Sequence, residues 1–463
     1  MGIIGATAVP HPPIILPEIG RGEEQKISAT IAAYEEISRR IVELDPETII
    51  ITSPHSILYA DYFHISPGEG ASGNMAQFRA PQVALAINYD VDFVRKLTTD
   101  AQSEKFPAGT MGERNSSLDH GTMIPLVFLQ KAGLDFDKVK FLRIGLSGMS
   151  NDVHYRFGKL ISRVAEELNR KVFFIASGDL SHKLKGSHYG TVAEGAQFDS
   201  EVMENLGGAD FLKLLTMDNV MCNRAAECGL RSFWIMAGAL DKKAVRAEKL
   251  SYEGTFGVGY GVVYFNVGGE DLTRNFAYQL MKYKSYESEK RKATEDAFVK
   301  LARYSLETFV KTHKPAELPE DLPEELMNRR AGAFVSLHKD GNLRGCIGTI
   351  MATRDNLAEE IIQNAISACS RDPRFSPVEI DELDNIEYSV DVLGEPERAF
   401  SVKELDAKRY GVIVENNGRR GLLLPDLEGV DTPEQQIAIA KRKAGIRPEE
   451  KVTLWRFEVI RHH

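Results

Sequence analysis

The sequence predicts an α/β protein in which a mainly parallel sheet with flanking helices, over residues 1–268, is followed by a smaller α+β domain over 285–463. Three observations carry this expectation. The 463 residues exceed what one ordinary hydrophobic core organises, so two domains are expected. In the first half, short β-type apolar runs alternate with amphipathic stretches of helix length, the pattern of βαβ units. In the second half, shorter strands are joined by Asp-Gly and Asn-Gly pairs, which mark hairpins.

Periodicity predicts a strand over 3–9, an amphipathic helix over 23–44, strands over 47–53 and 82–87, helices over 91–104 and 121–132, a strand over 139–146, a helix over 152–169 and a strand over 171–177. A long helical region, 190–240, leads into 250–265, whose closing Val262-Val263-Tyr264-Phe265 suits an edge or returning strand. The charged stretch from Lys282 to Lys292 has few apolar residues to bury and reads as a solvated linker or the start of a helix. Beyond it come a helix over 294–312, a Pro-rich segment from Pro315 to Pro323 and a hairpin turning at Asp340-Gly341. A helix over 355–369, a strand over 386–393, a second hairpin around Asn416-Asn417-Gly418, a helix over 433–444 and a strand over 451–460 complete the chain.

Composition narrows the function classes. With 43% apolar and 27% charged residues the chain reads as a globular protein, and a net charge of -10 supplies no basic face for nucleic acid. No apolar run approaches the roughly 18 residues of a membrane span, and Met1-Gly2-Ile3-Ile4-Gly5-Ala6 runs into a strand pattern without a basic leader. A cytoplasmic protein without nucleic-acid or membrane partners is expected. Cys222, Cys228, Cys346 and Cys369 lack zinc-ribbon spacing and are too sparse for a disulfide framework, so reduced thiols are expected.

Three segments share one design: a β-type run, a tight turn and a histidine. They end in Val9-Pro10-His11-Pro12-Pro13, Ser53-Pro54-His55 and Ser177-Gly178-Asp179-Leu180-Ser181-His182. Parallel strands would deliver all three imidazoles to the carboxyl edge of one sheet, where open α/β sheets place their ligand crevices. Prolines stiffen the backbone at His11 and His55, leaving little conformational freedom to lose on metal binding. His120, in Leu118-Asp119-His120-Gly121, sits at an expected helix start, which favours the neutral ring. Asp179 suits either an orienting partner for an imidazole or a turn cap. His188 is a further pocket candidate, whereas His64 and His154 read as surface positions. Tyr62, Phe63, Phe78 and Tyr189 are candidates to line a pocket or to pack in the core.

These segments, with Pro125-Leu126 and Phe233-Trp234-Ile235-Met236-Ala237-Gly238-Ala239-Leu240, resemble the class III extradiol ring-cleavage dioxygenases of the LigB type and their Memo relatives. The resemblance implies a non-haem Fe(II) site, with another divalent first-row metal such as Zn as the alternative. His11 and His55 would be ligands, His182 the acid/base and His120 a neighbour of bound oxygen. A facial triad would leave room for a small aromatic diol or aminophenol and O2, with His182 taking a substrate proton. In the dioxygenases a helix supplies a glutamate as third ligand, which Glu227 resembles; in Memo-like relatives that stretch offers a cysteine, which Cys222 resembles. Glu227 is preferred because a hard carboxylate suits Fe(II). On a regular helix the two lie about 140° apart, so only one could face the metal. Related enzymes assemble as dimers or larger, so a homo-oligomer is expected.

The second half resembles the AMMECR family through Leu343-Arg344-Gly345-Cys346-Ile347-Gly348, Asp372-Pro373-Arg374-Phe375-Ser376-Pro377, Gly421-Leu422-Leu423-Leu424-Pro425 and Lys443-Ala444-Gly445-Ile446. A second site at Arg344, Cys346, Asp372 and Arg374 is a candidate. Cys346 is either a packed strand residue or a thiol activated by Arg344, and the arginines either hold an anion or pair with Asp372. The fusion resembles the AmmeMemoRadiSam set, which implies a radical SAM protein partner. Two function classes follow: an Fe(II) extradiol dioxygenase with an accessory AMMECR domain, or a Memo-like metal-binding protein that is not a dioxygenase.

Overall fold

The computed structural model describes residues 1–463 except Asp340, Glu428 and the side chain of Asp381. It divides into two compact units, Met1–Lys282 and Tyr283–His463.

In the first unit, strands β1 (Gly2–Val9), β2 (Thr48–Ser53), β3 (Lys140–Gly145), β4 (Lys171–Ser177), β5 (Lys243–Glu253) and β6 (Tyr260–Glu270) form one sheet of order β3-β2-β4-β1-β6-β5. β3, β2, β4 and β1 run parallel, and β6 and β5 close the edge antiparallel. β2 and β4 are buried along nearly their whole length, which is why they read as continuous Ile, Val and Phe runs rather than alternating ones. Helices α1 (Ser28–Leu44), α2 (Val91–Ser103), α3 (His120–Lys131), α4 (Asn151–Glu167), α5 (Ala193–Gly207), α6 (Asn219–Ala225) and α7 (Leu230–Ala239) accompany the sheet, with apolar clusters against both faces. The register pairs Val9 with Ser177 and Thr52 with Ala176, so three strands finish level.

One expected strand leaves this sheet. Ala80–Asn88 pairs only with Gly70–Met75 as a separate hairpin, and its alternating burial shows one face covered. The charged stretch from Lys282 to Lys292, read as a solvated linker or the start of a helix, lies within helix α8 (Phe276–Thr294), whose Phe276 and Leu280 pack into the first unit's core.

The second unit is α+β, as read. After helix α9 (Ala297–Thr312), strands β7 (Ala333–Lys339), β8 (Asn342–Gly348), β9 (Ile386–Leu393), β10 (Glu397–Ala399), β11 (Gly411–Asn416), β12 (Arg419–Leu423), β13 (Thr453–Phe457) and β14 (Val459–His462) form two four-stranded antiparallel sheets, β8-β7-β9-β14 and β10-β13-β11-β12. The expected final strand is thus two, shared between the sheets. The expected Asp340-Gly341 turn rests on Asp340, which lies outside the described residues. Helices α10 (Leu357–Ser370) and α11 (Pro433–Lys443) supply the apolar cover. All four cysteines are free, and among the described residues no helix is long and apolar enough to cross a membrane.

Candidate metal centre

His11, His55 and the Asp179–His182 turn leave the ends of β1, β2 and β4, and the level register brings them together. The Nε2 atoms of His11 and His55 stand 3.0 Å apart, with the rings edge to face. His120 opens α3, whose N-cap Asp119 accepts from Thr122 N at 3.0 Å and from Ser53 Oγ at 2.5 Å. Its ring centroid is 4.0 Å from that of His55. Among the described residues, His11, His55 and His120 form one group able to hold a metal, and His11, Asp179 and Cys228 a second that shares His11.

The orientation of His11 follows from its neighbours. Ser177 Oγ has a single hydrogen, which it donates to the Gly121 carbonyl at 2.7 Å. Its 2.9 Å contact with His11 Nδ1 must therefore be an N–H donated by the imidazole. That leaves the lone pair on Nε2, aimed at His55 Nε2 and, at 3.7 Å, at Cys228 Sγ. A fixed tautomer of this kind is how second partners prepare a ligating imidazole. Burial and the neighbouring His55 hold His11 down at about 3, and burial does the same for His120, so both rings are neutral.

Asp179 is buried. One oxygen accepts the His11 backbone N–H at 2.7 Å, and the other stands 4.0 Å from His182 Nε2. Burial raises its carboxyl to about 6 and lowers the His182 imidazole. His182 is a quarter exposed at the side chain and stacks on Tyr189, centroids 5.9 Å apart.

Neither expected third ligand, Glu227 or Cys222, joins a group of possible metal ligands among the described residues. Helix α6 stops at Ala225 because Ala226 turns left-handed, with φ 53°. Glu227 and Cys222 therefore do not share a helix, and the rotation argument between them does not apply. The Glu227 carboxylate is engaged at the start of the next helix, accepting from Leu230 N at 2.7 Å. Cys222 packs in the apolar core, where burial pushes its thiol up to about 12. Cys228, singled out by no motif, takes the place beside His11, and its Sγ accepts the Asp179 backbone N–H at 3.2 Å. Two glycines allow this: a Cβ on Gly178 would lie 2.1 Å from Gly229 Cα. A Gly-to-Gly approach of two loops leaves no trace in periodicity.

Other expectations fall out plainly. His64 and His154 are wholly buried, not at the surface. Phe63 belongs to the core, while the Phe78 ring lies 5.3 Å from His120. His188 is exposed.

Residues 5–263 match the family described as the catalytic LigB subunit of aromatic ring-opening dioxygenase. The chain belongs to the LigB family. Residues 299–462 match AMMECR1, so a LigB-type domain is followed by an AMMECR1 domain. A Clostridium acetobutylicum protein is 42% identical over 471 residues, spanning 100% of this chain and 99% of its own length. A Thermotoga maritima protein is 56% identical over 171 residues, 36% of this chain and 98% of its own. A crystal structure of an uncharacterized protein from Pyrococcus horikoshii is similar at 35% identity and TM-score 0.33, covering 35% of this chain and 88% of that one.

In the AMMECR1 domain the proposed second site separates into two ion pairs. Asp372 accepts from Cys346 N at 2.9 Å and from Arg374 Nε and Nη2 at 2.9 and 2.7 Å. Arg344 instead forks onto Glu382, at 3.0 and 2.7 Å. Burial raises the Cys346 thiol, and Ser336 Oγ lies 3.2 Å from its sulfur. Asp372 thus ties Arg374 to the backbone of strand β8 at Cys346.

Proposed function

We propose that the LigB-type domain binds one transition-metal ion through His11 Nε2, His55 Nε2 and Cys228 Sγ, and that its chemistry is that of a thiolate-containing metal site rather than a 2-His-1-carboxylate dioxygenase. The observation that carries this is the aim of His11 Nε2 at both His55 Nε2, 3.0 Å, and Cys228 Sγ, 3.7 Å. The donor set fits a metal: two imidazoles, that of His11 neutral and of fixed tautomer, and a sulfur already accepting a backbone N–H. Thiolate with imidazole favours zinc or copper over Fe(II). When bound, the ion would supply Lewis-acid or redox chemistry to a small molecule.

The chain's own residues do the rest. His182, lowered by burial and partly exposed, is the group placed to take or return a proton, and Asp179 stabilises its charged form from 4.0 Å. His120 presents a neutral imidazole beside His55, able to donate one hydrogen bond to a ligand. Family membership favours a second reading, Fe(II)-dependent ring cleavage with O2, in which His120 faces the oxygen.

Metal analysis and oxygen uptake separate the two. Cys228→Ser is expected to lose metal while Glu227→Gln and Cys222→Ser retain it, with no oxygen consumed on a panel of catechols and aminophenols. Retention by Cys228→Ser, together with catechol-dependent oxygen uptake, would move the assignment to the dioxygenase.

A further inference from the structure

Large apolar side chains are unevenly exposed along the chain. Among the described residues nineteen are exposed, and five of them, Leu272, Tyr278, Met281, Tyr283 and Tyr286, fall within fifteen positions, where an even spread over 463 residues would put fewer than one. Exposed apolar residues that cluster mark contact surfaces, whereas scattered ones need no explanation. The stretch begins after the residues matched to LigB, 5–263, and ends before those matched to AMMECR1, 299–462, so neither family's own chemistry calls for it.

Helix α8 carries four of the five. Its Phe276 and Leu280 are covered by the core, so its apolar residues are divided between a covered and an open side. At 100° per residue, Tyr278, Lys282, Ser285 and Glu289 share an arc of about 60° on the open side, flanked by Met281 and Tyr286. Lys282 Nζ lies 4.6 Å over the Tyr278 ring, and among the described residues neither Lys282 nor Glu289 has an ion-pair partner. The neighbouring Arg291 and Lys292 do, reaching Glu387 and Asp384 at 3.5 and 3.6 Å. Lys282 and Glu289 stand about 10.5 Å apart along the axis, two turns, which is too far for them to pair within one helix.

We propose that the open face of α8 is a self-association surface on which a second copy of this chain docks, antiparallel, about a two-fold axis between Ser285 and Tyr286. That axis places Lys282 of each helix opposite Glu289 of the other, so one self-complementary pair forms twice. It sets the Tyr286 ring over the small Ser285, Tyr278 over Ala293, and Met281 along the apolar stem of Lys290. One helix per chain is a small surface beside the roughly 1,200–2,000 Å² of stable complexes, so the dimer is expected to dissociate in the micromolar range.

Sedimentation equilibrium of the full chain over a micromolar dilution series measures the dimer dissociation constant. Lys282→Glu and Glu289→Lys should each weaken the dimer about tenfold, because two opposite-charge contacts become two like-charge ones. The double variant should recover the wild-type constant, a repair that no contact within one helix accounts for. Tyr286→Asp should leave only monomer. All three side chains are exposed, so the fold does not depend on them. A wild-type chain that stays monomeric, a dimer indifferent to Tyr286→Asp, or single charge reversals that the double variant does not repair would overturn the proposal.

Discussion

Ser177→Ala isolates the step on which the metal reading depends, because Ser177 touches no proposed open position of the metal yet decides which His11 nitrogen carries the proton. In the native arrangement Oγ donates to the Gly121 carbonyl at 2.7 Å and accepts from His11 Nδ1 at 2.9 Å. Alanine removes both bonds and leaves His11 free to carry its proton on Nε2, the nitrogen that must ligate. Loss of such an orienting partner costs about 10–100-fold in metal affinity, or about 1.4–2.7 kcal/mol. The metal-free protein should also lose about 1–3 kcal/mol, because two buried polar groups lose their partner. The backbone carbonyl of Ser177 still accepts from Ser232 Oγ at 2.8 Å, so the turn itself is retained. Competition between protein and a chelator of known affinity, for Zn(II) and Co(II), reads the first effect, and denaturation in excess chelator reads the second. A folded Ser177→Ala protein with wild-type metal affinity would refute the tautomer argument.

Other expectations follow from the same structure. Glu227→Gln should cost about 1 kcal/mol in denaturant unfolding, the value of a helix cap, without changing metal content. Asp199, wholly enclosed, is raised to about 7 by burial while it holds Ser181 N and Tyr252 Oη. A carboxyl whose folded pKa lies above its unfolded value favours the fold when protonated, so stability should fall as pH rises from about 4 to 7, by about 2–4 kcal/mol. Asp199→Asn should flatten that slope; an unchanged pH profile would remove Asp199 as its source. Fragment 1–282 should exceed fragment 1–275 in stability by about 3–5 kcal/mol, because only the longer one keeps Phe276 and Leu280 in the core. Equal denaturation midpoints would show that this packing is dispensable.

Much of this site is legible in the sequence alone. Val-Pro-His, Ser-Pro-His and Ser-Gly-Asp-Leu-Ser-His each follow a β-type run, and parallel strands of equal register can deliver their ends only to one edge. His120 was legible for a related reason, since a helix start preceded by Asp fixes where its first residue points. The burial of His64 and His154 is not legible in the sequence, because an imidazole carries no hydropathy signal strong enough to report it. The hairpin at 70–88 was misplaced because alternation identifies a strand without naming its partner.

Cys228, the third ligand of the proposed metal site, is illegible in the sequence for a different reason. Assigning Glu227 or Cys222 assumed that α6 continued, so that 100° per residue set which side chain faced the sheet. A single left-handed residue, Ala226, ends the helix and makes that rotation meaningless. From there the direction of each side chain is settled by competing hydrogen bonds. Leu230 N, at an unsatisfied helix start, draws the Glu227 carboxylate, and the neighbouring backbone turn presents Cys228 to Asp179 N. The carboxylate preferred on grounds of iron chemistry is thus engaged in ending one loop and beginning a helix, and freeing it would expose an orphaned N–H. A dioxygenase triad built on Glu227 would need that cap broken and the loop of 226–229 rebuilt, whereas the thiol site keeps the loop and needs the sulfur proton removed, against the burial and the Asp179 and Glu227 carboxylates that raise the Cys228 thiol. The smaller rearrangement is the reason to test Cys228 first.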